Sequence, residues 1–257
     1  MIFIIPTKAS PAANGSSDWV VTEMANFRLI SGISNIGVSN KVPLGLEFEL
    51  KDGWKIYWRN PGDAGYPPEI NFSNNENLSE IKWFWPAPKR FIFEDMQNFG
   101  YEDRVIFPIT AILKTPKEPL VLQANITALA CKDICVPIDG SLNLTIPIGN
   151  PVETDHAASI YSFETRVPTK TTWPGFKILS VSANKNSIFI RVKSKTPLIK
   201  PDIFIESESA FRFGKPEISV SSDRLNASFV LSNDIPIDTN LAEVPPHACH
   251  EPHCQQY

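Results

Sequence analysis

Alternation of apolar and polar residues with a period of two constrains the fold of this chain more than any other feature. It runs through residues 42–50, 120–128 and 141–147, and strands with one face in the core have this pattern. The 23 prolines argue against long helices, and several mark turns, as in residues 60–68. Short strands separated by such turns predict an all-β chain that forms sandwiches.

Turn residues also predict where the first domain ends. Residues 18–150 are predicted to form one β domain, because the run PIGNP closes its last strand. Residues 151–174 follow as a linker, and their apolar residues predict a short helix near 155–166, ahead of Pro168. We expect this helix to serve as a connector.

A second, smaller β domain is predicted at residues 175–236. Its strands are expected at residues 187–193, 202–206 and 225–231, which again alternate apolar and polar residues. With only about 60 residues it is marginal for an independent core, so we expect it to dock on the first domain or to be incomplete.

The two ends of the chain differ from the rest. Residues 1–17 form an apolar start that predicts either a clipped signal peptide or a simple apolar end. We favour the clipped signal, because a working disulfide needs an oxidising compartment. Residues 237–257 are predicted to be an irregular tail, with a local disulfide and a copper or zinc site as the alternatives. These alternatives rest on His247, Cys249, His250, His253 and Cys254.

Composition and motifs exclude several classes of function. The net charge of -4 comes without basic blocks, so a nucleic-acid partner is not expected. No apolar run approaches the roughly 20 residues that cross a bilayer, so the chain itself is not expected to span a membrane. Hydrolase and phosphate-binding motifs are also missing from the sequence.

Cys131 and Cys135 are the residues with the clearest chemical use. A disulfide that closes so short a loop stabilises a fold less than one that spans a long loop, so stapling is a weak reason for the pair. A short, accessible disulfide is suited to cycling between dithiol and disulfide. Reversible redox chemistry is therefore the favoured interpretation, and a static disulfide and a metal site are the alternatives.

Four motifs in a fixed order carry a resemblance to a known family. They are DGWKIYWRNPGDAG at 52–65, WPAPKRF at 85–91, GYEDRVIFPI at 100–109 and CKDICVP at 131–137. This order resembles the periplasmic N-terminal domain of DsbD-type thiol:disulfide interchange proteins, in particular the suppressor-of-copper-sensitivity branch, ScsB. The resemblance covers roughly residues 18–235.

The resemblance implies an immunoglobulin-like β-sandwich, followed here by the smaller β domain. It implies that Cys131 and Cys135 take electrons from a transmembrane relay protein and pass them to periplasmic thioredoxin-like disulfide proteins. It also implies that Cys135 bonds to the partner while Cys131 resolves, an order that the residues alone do not give. The relay and the thioredoxin-like domain of full-length relatives are missing here, so we expect the electron source to be another polypeptide or the chain to be a fragment.

In the related domain a flexible loop with an aromatic side chain covers the disulfide. The corresponding stretch is 88–98, where Phe91 and Phe93 are the candidate shields and Phe91 is preferred. The alternative is that both pack into the edge of the sandwich. Beside the cysteines, Lys132 would favour a thiolate and Asp133 would oppose it, or both are simply solvated loop residues.

The sequence thus predicts a periplasmic thiol:disulfide oxidoreductase module that needs no cofactor beyond its own disulfide. The rival hypothesis is a non-catalytic sandwich that binds a partner protein or copper and whose disulfide only pins a loop. A measured reduction potential separates the two, because structural disulfides lie below about -300 mV.

Overall fold

The structure is a computed structural model whose described residues form mostly β-strands, with one short helix. It describes residues 15–93, 96–169, 175–206 and 213–233, apart from the side chains of Asn74 and Phe93, and the backbone of 246–250 and 253–256. Within these ranges, no helix is long and apolar enough to cross a membrane.

The elements follow one another along the chain as strands with a single helix among the described residues. The first part contains β1 (Val20–Val21), β2 (Ala25–Ser31), β3 (Lys41–Leu50), β4 (Lys55–Gly62), β5 (Glu69–Glu76), β6 (Leu78–Trp83), β7 (Lys89–Phe93), β8 (Met96–Glu102), β9 (Arg104–Leu113), β10 (Leu120–Cys131) and β11 (Cys135–Ile146). Then follow α1 (Ala157–Glu164), β12 (Phe176–Ala183), β13 (Ser187–Ser194), β14 (Asp202–Ile205), β15 (Glu217–Val220), β16 (Asn226–Ser232), β17 (Pro246–His250) and β18 (His253–Gln256).

The chain divides into two compact units, and the first is the immunoglobulin-like sandwich that the sequence predicts. It is made of the described residues up to Ile56, Pro68–Phe84 and Glu102–Glu164. One sheet has the strand order β1-β2-β3-β9-β6, and in the other β10 lies between β11 and β5. The long β10–β11 hairpin carries the cysteine pair at its end.

Aromatic side chains of the first sheet form much of the core of the sandwich. Phe27, Phe48 and Phe107 are fully buried. The ring centroids of Phe27 and Phe48 lie 5.3 Å apart, and those of Phe48 and Phe107 lie 6.0 Å apart with the rings edge to face. Each buried phenylalanine contributes roughly 1.5–3 kcal/mol, and each such ring pair adds about 0.5–1.5 kcal/mol.

Helix α1 packs on the first sheet and confirms the helix predicted in the linker. Its Ile160 and Phe163 side chains are buried. Gly45 in β3 makes this close packing possible, since a Cβ there would lie 3.3 Å from Ile160 Cγ1 and 2.6 Å from Ile106 Cγ2. A larger residue at this position would push the helix away from the sheet.

The second unit draws on three separate stretches of the chain. It consists of Tyr57–Pro67, Trp85–Tyr101 and the described residues from Thr165 onward. Its sheet has the order β12-β13-β16-β15 and buries Ile190 and Phe229. The structure therefore groups the residues differently from the sequence prediction, which placed one boundary near residue 150.

Two ion pairs connect the separate stretches of the second unit. The Arg90 guanidinium binds the Asp202 carboxylate through two bonds, 2.9 and 3.0 Å long. Arg59 pairs with Glu206 in the same way, and its Nη2 atom lies 2.6 Å from Glu206 Oε2. The second unit therefore contains residues from the first half of the sequence as well as the C-terminal strands. This agrees with its size, because the roughly 60 residues of the predicted second domain alone would bury too little apolar surface for a stable core.

Strand predictions from periodicity are confirmed at β3, β10 and β11, and again at β13, β14 and β16. At 237–257, where the sequence predicts an irregular tail, the structure contains strands β17 and β18. They pair with each other, and β17 pairs with β14. The edge of β14 pairs with β17 through main-chain hydrogen bonds, which do not depend on the side chains of the partner strand. The alternation of apolar and polar residues therefore gave no sign of the β17–β18 hairpin.

Candidate active site

The two cysteines are brought together by the register of the β10–β11 hairpin. Cys131 ends β10 and Cys135 begins β11, so the two lie opposite each other as the last pair of the ladder. They form a disulfide with an S–S distance of 2.05 Å and a Cα–Cα distance of 4.1 Å. The Lys132 amide donates a hydrogen bond of 3.0 Å to the Ile134 carbonyl and closes the turn between them.

The two halves of the disulfide differ in exposure. Cys131 is 7% exposed, whereas Cys135 is open to solvent. Ile134, at the tip of the turn, is 68% exposed. Because exchange requires a thiolate to reach a sulfur in line, the Cys135 side of the bond is the accessible side.

The loop that joins β3 to β4 supplies the neighbours of the disulfide. Lys55, the first residue of β4, is the register partner of Cys131. Lys132 Nζ donates a hydrogen bond of 3.2 Å to the Asp52 carbonyl, so Lys132 is held against this loop. Asp133 is exposed.

The candidate shields lie on strand β7. Phe91 is partly buried and lies opposite Asn98 in the β7–β8 hairpin. The backbone of Phe93 ends β7, opposite Met96, while its side chain lies outside the described part of the structure. Both residues belong to the second unit and the cysteines to the first, and the shielding role stays a prediction.

Residues 57–63, within the first family-like motif, have structural roles. Tyr57 and Trp58 are buried, and Trp58 lies edge to face with Phe204 at 6.0 Å. The Asp63 carboxylate accepts a hydrogen bond of 2.7 Å from the backbone N–H of Gln97. This segment therefore fixes the second unit, as core aromatics and turn residues ordinarily do.

A metal centre has no basis among the residues that the structure describes, which contain no group of three or more potential ligands. The histidines and cysteines of the tail lie outside that statement, because only their backbone is described.

Sequence reasoning missed Lys55 as a neighbour of the cysteines. Its position opposite Cys131 depends on the pairing of β4 with β10, which are far apart in the sequence. The turn residues Asp52 and Gly53 just before it were the only local sign that β4 begins there.

Comparison with known families agrees with this geometry. Residues 31–147 match the family described as "Thiol:disulfide interchange protein DsbD, N-terminal", and residues 166–247 match a "Domain of unknown function (DUF8393)". Residues 31–147, which include the Cys131–Cys135 disulfide, are therefore similar to the N-terminal domain of DsbD-type thiol:disulfide interchange proteins.

A solved structure shares the fold over nearly the whole length. It is the N-terminal periplasmic domain of ScsB from Proteus mirabilis, with a TM-score of 0.73 and 21% sequence identity. The match covers 95% of this chain and 96% of that one. Among curated proteins, none matches this chain.

Proposed function

We propose that this chain is a periplasmic thiol:disulfide exchange module that accepts electrons from a transmembrane relay protein and reduces thioredoxin-like disulfide proteins through Cys131 and Cys135. The observation that carries the proposal is the disulfide at the end of a hairpin, with one buried and one exposed cysteine. The match to the DsbD N-terminal family supports it.

The exchange proceeds in two balanced steps. In the reduced module the Cys135 thiolate attacks one sulfur of the partner disulfide, which forms a mixed disulfide and releases the other partner sulfur as a thiolate. The Cys131 thiolate then attacks Cys135 Sγ, which re-forms the internal disulfide and releases the second partner thiolate. The partner gains two electrons, and its two thiolates take up protons from water.

Reduction of the module by the relay protein follows the same steps in reverse. A dithiol of the relay protein attacks the exposed Cys135 side of the disulfide and is itself oxidised, so the module again holds two thiols. The buried position of Cys131 suits a resolving role, because a resolving thiol meets only its neighbour and never a partner.

Two measurements test the proposal. The first is the reduction potential of the pair in defined thiol buffers, read by mass spectrometry on the peptides that contain Cys131 and Cys135. We expect a value above about -300 mV. The second is electron transfer from the reduced module to a purified oxidised thioredoxin-like protein.

Control variants show which of the four cysteines carry out the electron transfer. Replacement of both Cys249 and Cys254 by serine should leave potential and transfer unchanged, whereas replacement of both Cys131 and Cys135 should abolish transfer. A potential well below about -300 mV together with no transfer would make the disulfide structural and the module a binding domain.

A further inference from the structure

The loop between β3 and β4 accepts hydrogen bonds from two lysines whose backbones neighbour Cys131. Lys132 Nζ donates to the Asp52 carbonyl at 3.2 Å, and Lys55 Nζ donates to the Gly53 carbonyl at 3.2 Å. Two ammonium groups are therefore tethered to neighbouring carbonyls of one turn. These hydrogen bonds restrain the two lysine side chains, which are long and would otherwise adopt many conformations in solvent.

Both lysines are placed by the backbone beside Cys131. Lys55 lies opposite Cys131 in the β4–β10 pairing, and Cys135 lies opposite Cys131 on the other side. Facing residues of an antiparallel ladder have Cα atoms about 4.5–5.5 Å apart and project to the same face of the sheet. Lys132 follows Cys131 directly in the sequence.

Gly53 allows Lys132 to cross the turn. Its φ is +78°, and a Cβ built on it would lie 2.8 Å from Lys132 Cε and 3.0 Å from Lys132 Nζ. Any side chain at this position would displace the lysine, so the glycine serves both the turn and the path of the Lys132 side chain.

We infer that Lys55 and Lys132 stabilise the thiolate of the reduced pair and so set its reactivity at neutral pH. The inference deepens the proposed function and rests on it for its purpose. The thiolate is the species that attacks a disulfide, and a nearby cation favours the ionised form of a thiol.

Other charges on the two turns act in both directions. Lys51, Asp52 and Asp133 are all exposed. The two carboxylates oppose ionisation of a thiol, and Lys51 favours it. With Lys55 and Lys132 included, positive groups outnumber negative ones, and the tethered pair is the part that the backbone fixes beside Cys131.

Alkylation of the reduced protein by iodoacetamide as a function of pH tests the inference without any partner. The rate is read on the peptide that carries Cys135, so the tail cysteines do not contribute. In Lys55→Met and Lys132→Met we expect the midpoint of the pH profile to rise by about 0.5–1 unit and the rate at pH 7 to fall about 3- to 10-fold. At a pH high enough to ionise every thiol, all variants should react at the same rate.

Matched variants separate charge from structure. Lys51→Met removes an exposed lysine from the same loop and should move the midpoint of the profile clearly less than Lys55→Met or Lys132→Met does. Lys55→Arg and Lys132→Arg keep the charge and should give the wild-type profile. Thermal melting of each variant should stay close to that of the wild type, and Lys132→Met, at an exposed site, tests the inference even where Lys55→Met does not fold.

The inference is overturned if the profiles of both methionine variants match the wild type. It is equally overturned if Lys51→Met moves the profile as far as they do, or if the arginine variants fail to restore it. Because alkylation needs no partner protein, these outcomes leave the transfer assay of the proposed function standing. Conversely, a failed transfer assay leaves the alkylation result readable.

Discussion

Cys131 and Cys135 share one disulfide, yet only Cys135 is open to solvent while Cys131 is 7% exposed. This asymmetry arises from the hairpin. Cys131 ends a strand that has neighbours on both sides, β11 and the start of β4, whereas Cys135 begins the strand that follows the exposed turn. The difference in exposure supports the proposed order, with Cys135 as the attacking thiol and Cys131 as the resolving one, because an attacking sulfur must be reachable and a resolving one need not be.

A trapping experiment checks that order. Cys131→Ser should accumulate a mixed disulfide with an oxidised thioredoxin-like protein, because Cys135 remains exposed and no resolving thiol is left. Cys135→Ser should trap at least about tenfold less, since the remaining thiol is buried. Non-reducing electrophoresis with mass spectrometry of the adduct reads the result. More adduct from Cys135→Ser than from Cys131→Ser would reverse the roles.

The same variants are expected to stay folded. Loop-closure entropy for so short a bridge amounts to about 2 kcal/mol, against roughly 4.7 kcal/mol for a loop of 100 residues. Denaturant unfolding of both serine variants should therefore show a similar, modest loss of stability.

Phe91→Ala tests the predicted shield. If Phe91 covers the disulfide, the variant should react faster with a small thiol when oxidised and with a small oxidant when reduced, because access limits exchange. Its free energy of unfolding should fall by less than about 1.5 kcal/mol, since Phe91 is only partly buried.

Phe204→Ala is the comparison for a core position in the same unit. Phe204 is 2% exposed, and its truncation should cost roughly 3–5 kcal/mol without a faster small-molecule reaction. If Phe91→Ala behaves like Phe204→Ala in both measurements, Phe91 is an ordinary packing residue and the disulfide has no shield at this position.

Arg90→Met tests whether residues 85–101 hold the second unit together. The Arg90 side chain is 9% exposed and also donates 2.7 Å to the Ile203 carbonyl, beside its two bonds to Asp202. The Asp202 side chain is 26% exposed, so water compensates part of its charge when Arg90 is removed. We therefore expect a loss of about 2 kcal/mol in denaturant unfolding, less than for a fully buried pair. Arg90→Lys should recover part of it.

Lys177→Met provides the control for removal of a positive charge in that unit. Lys177 is exposed, and its replacement should change stability by no more than about 0.5 kcal/mol. Equal effects of Arg90→Met and Lys177→Met would show that the Arg90–Asp202 pair contributes nothing specific.

His156 should make stability depend on pH. Burial, followed by the positive charge of Arg28, lowers the pKa of His156, and Glu47 and Asp155 offset this in part while Arg104 adds to it. The unfolded chain therefore binds a proton at this residue before the folded protein does. Stability should accordingly fall as the pH drops through about 6.5 toward the lower pKa of the folded state.

The melting temperature measured between pH 5 and pH 7.5 checks this, with His156→Gln as the comparison. The slope that belongs to His156 should vanish in the variant. An identical pH dependence in both proteins would assign the acid sensitivity to other groups.

Much of the fold could be predicted from the sequence because strands and turns are local. A period of two in residues 120–128 requires only that one face of a strand be buried, and the structure has β10 there. The short helix ahead of Pro168 was found at Ala157–Glu164 for the same reason, since apolar spacing and a proline define it within a few residues. The cysteine pair was evident from its spacing alone.

Contacts between distant segments were decided only by the tertiary structure. Lys55 lies opposite Cys131, and Arg90 binds Asp202, because strands far apart in the sequence were brought into register or packed together. The strand pattern tells which face of a segment is apolar, and many pairings satisfy that condition equally well. The sequence by itself determined the strands, the helix and the two thiols, while the fold determined which thiol is exposed and which charges lie beside it.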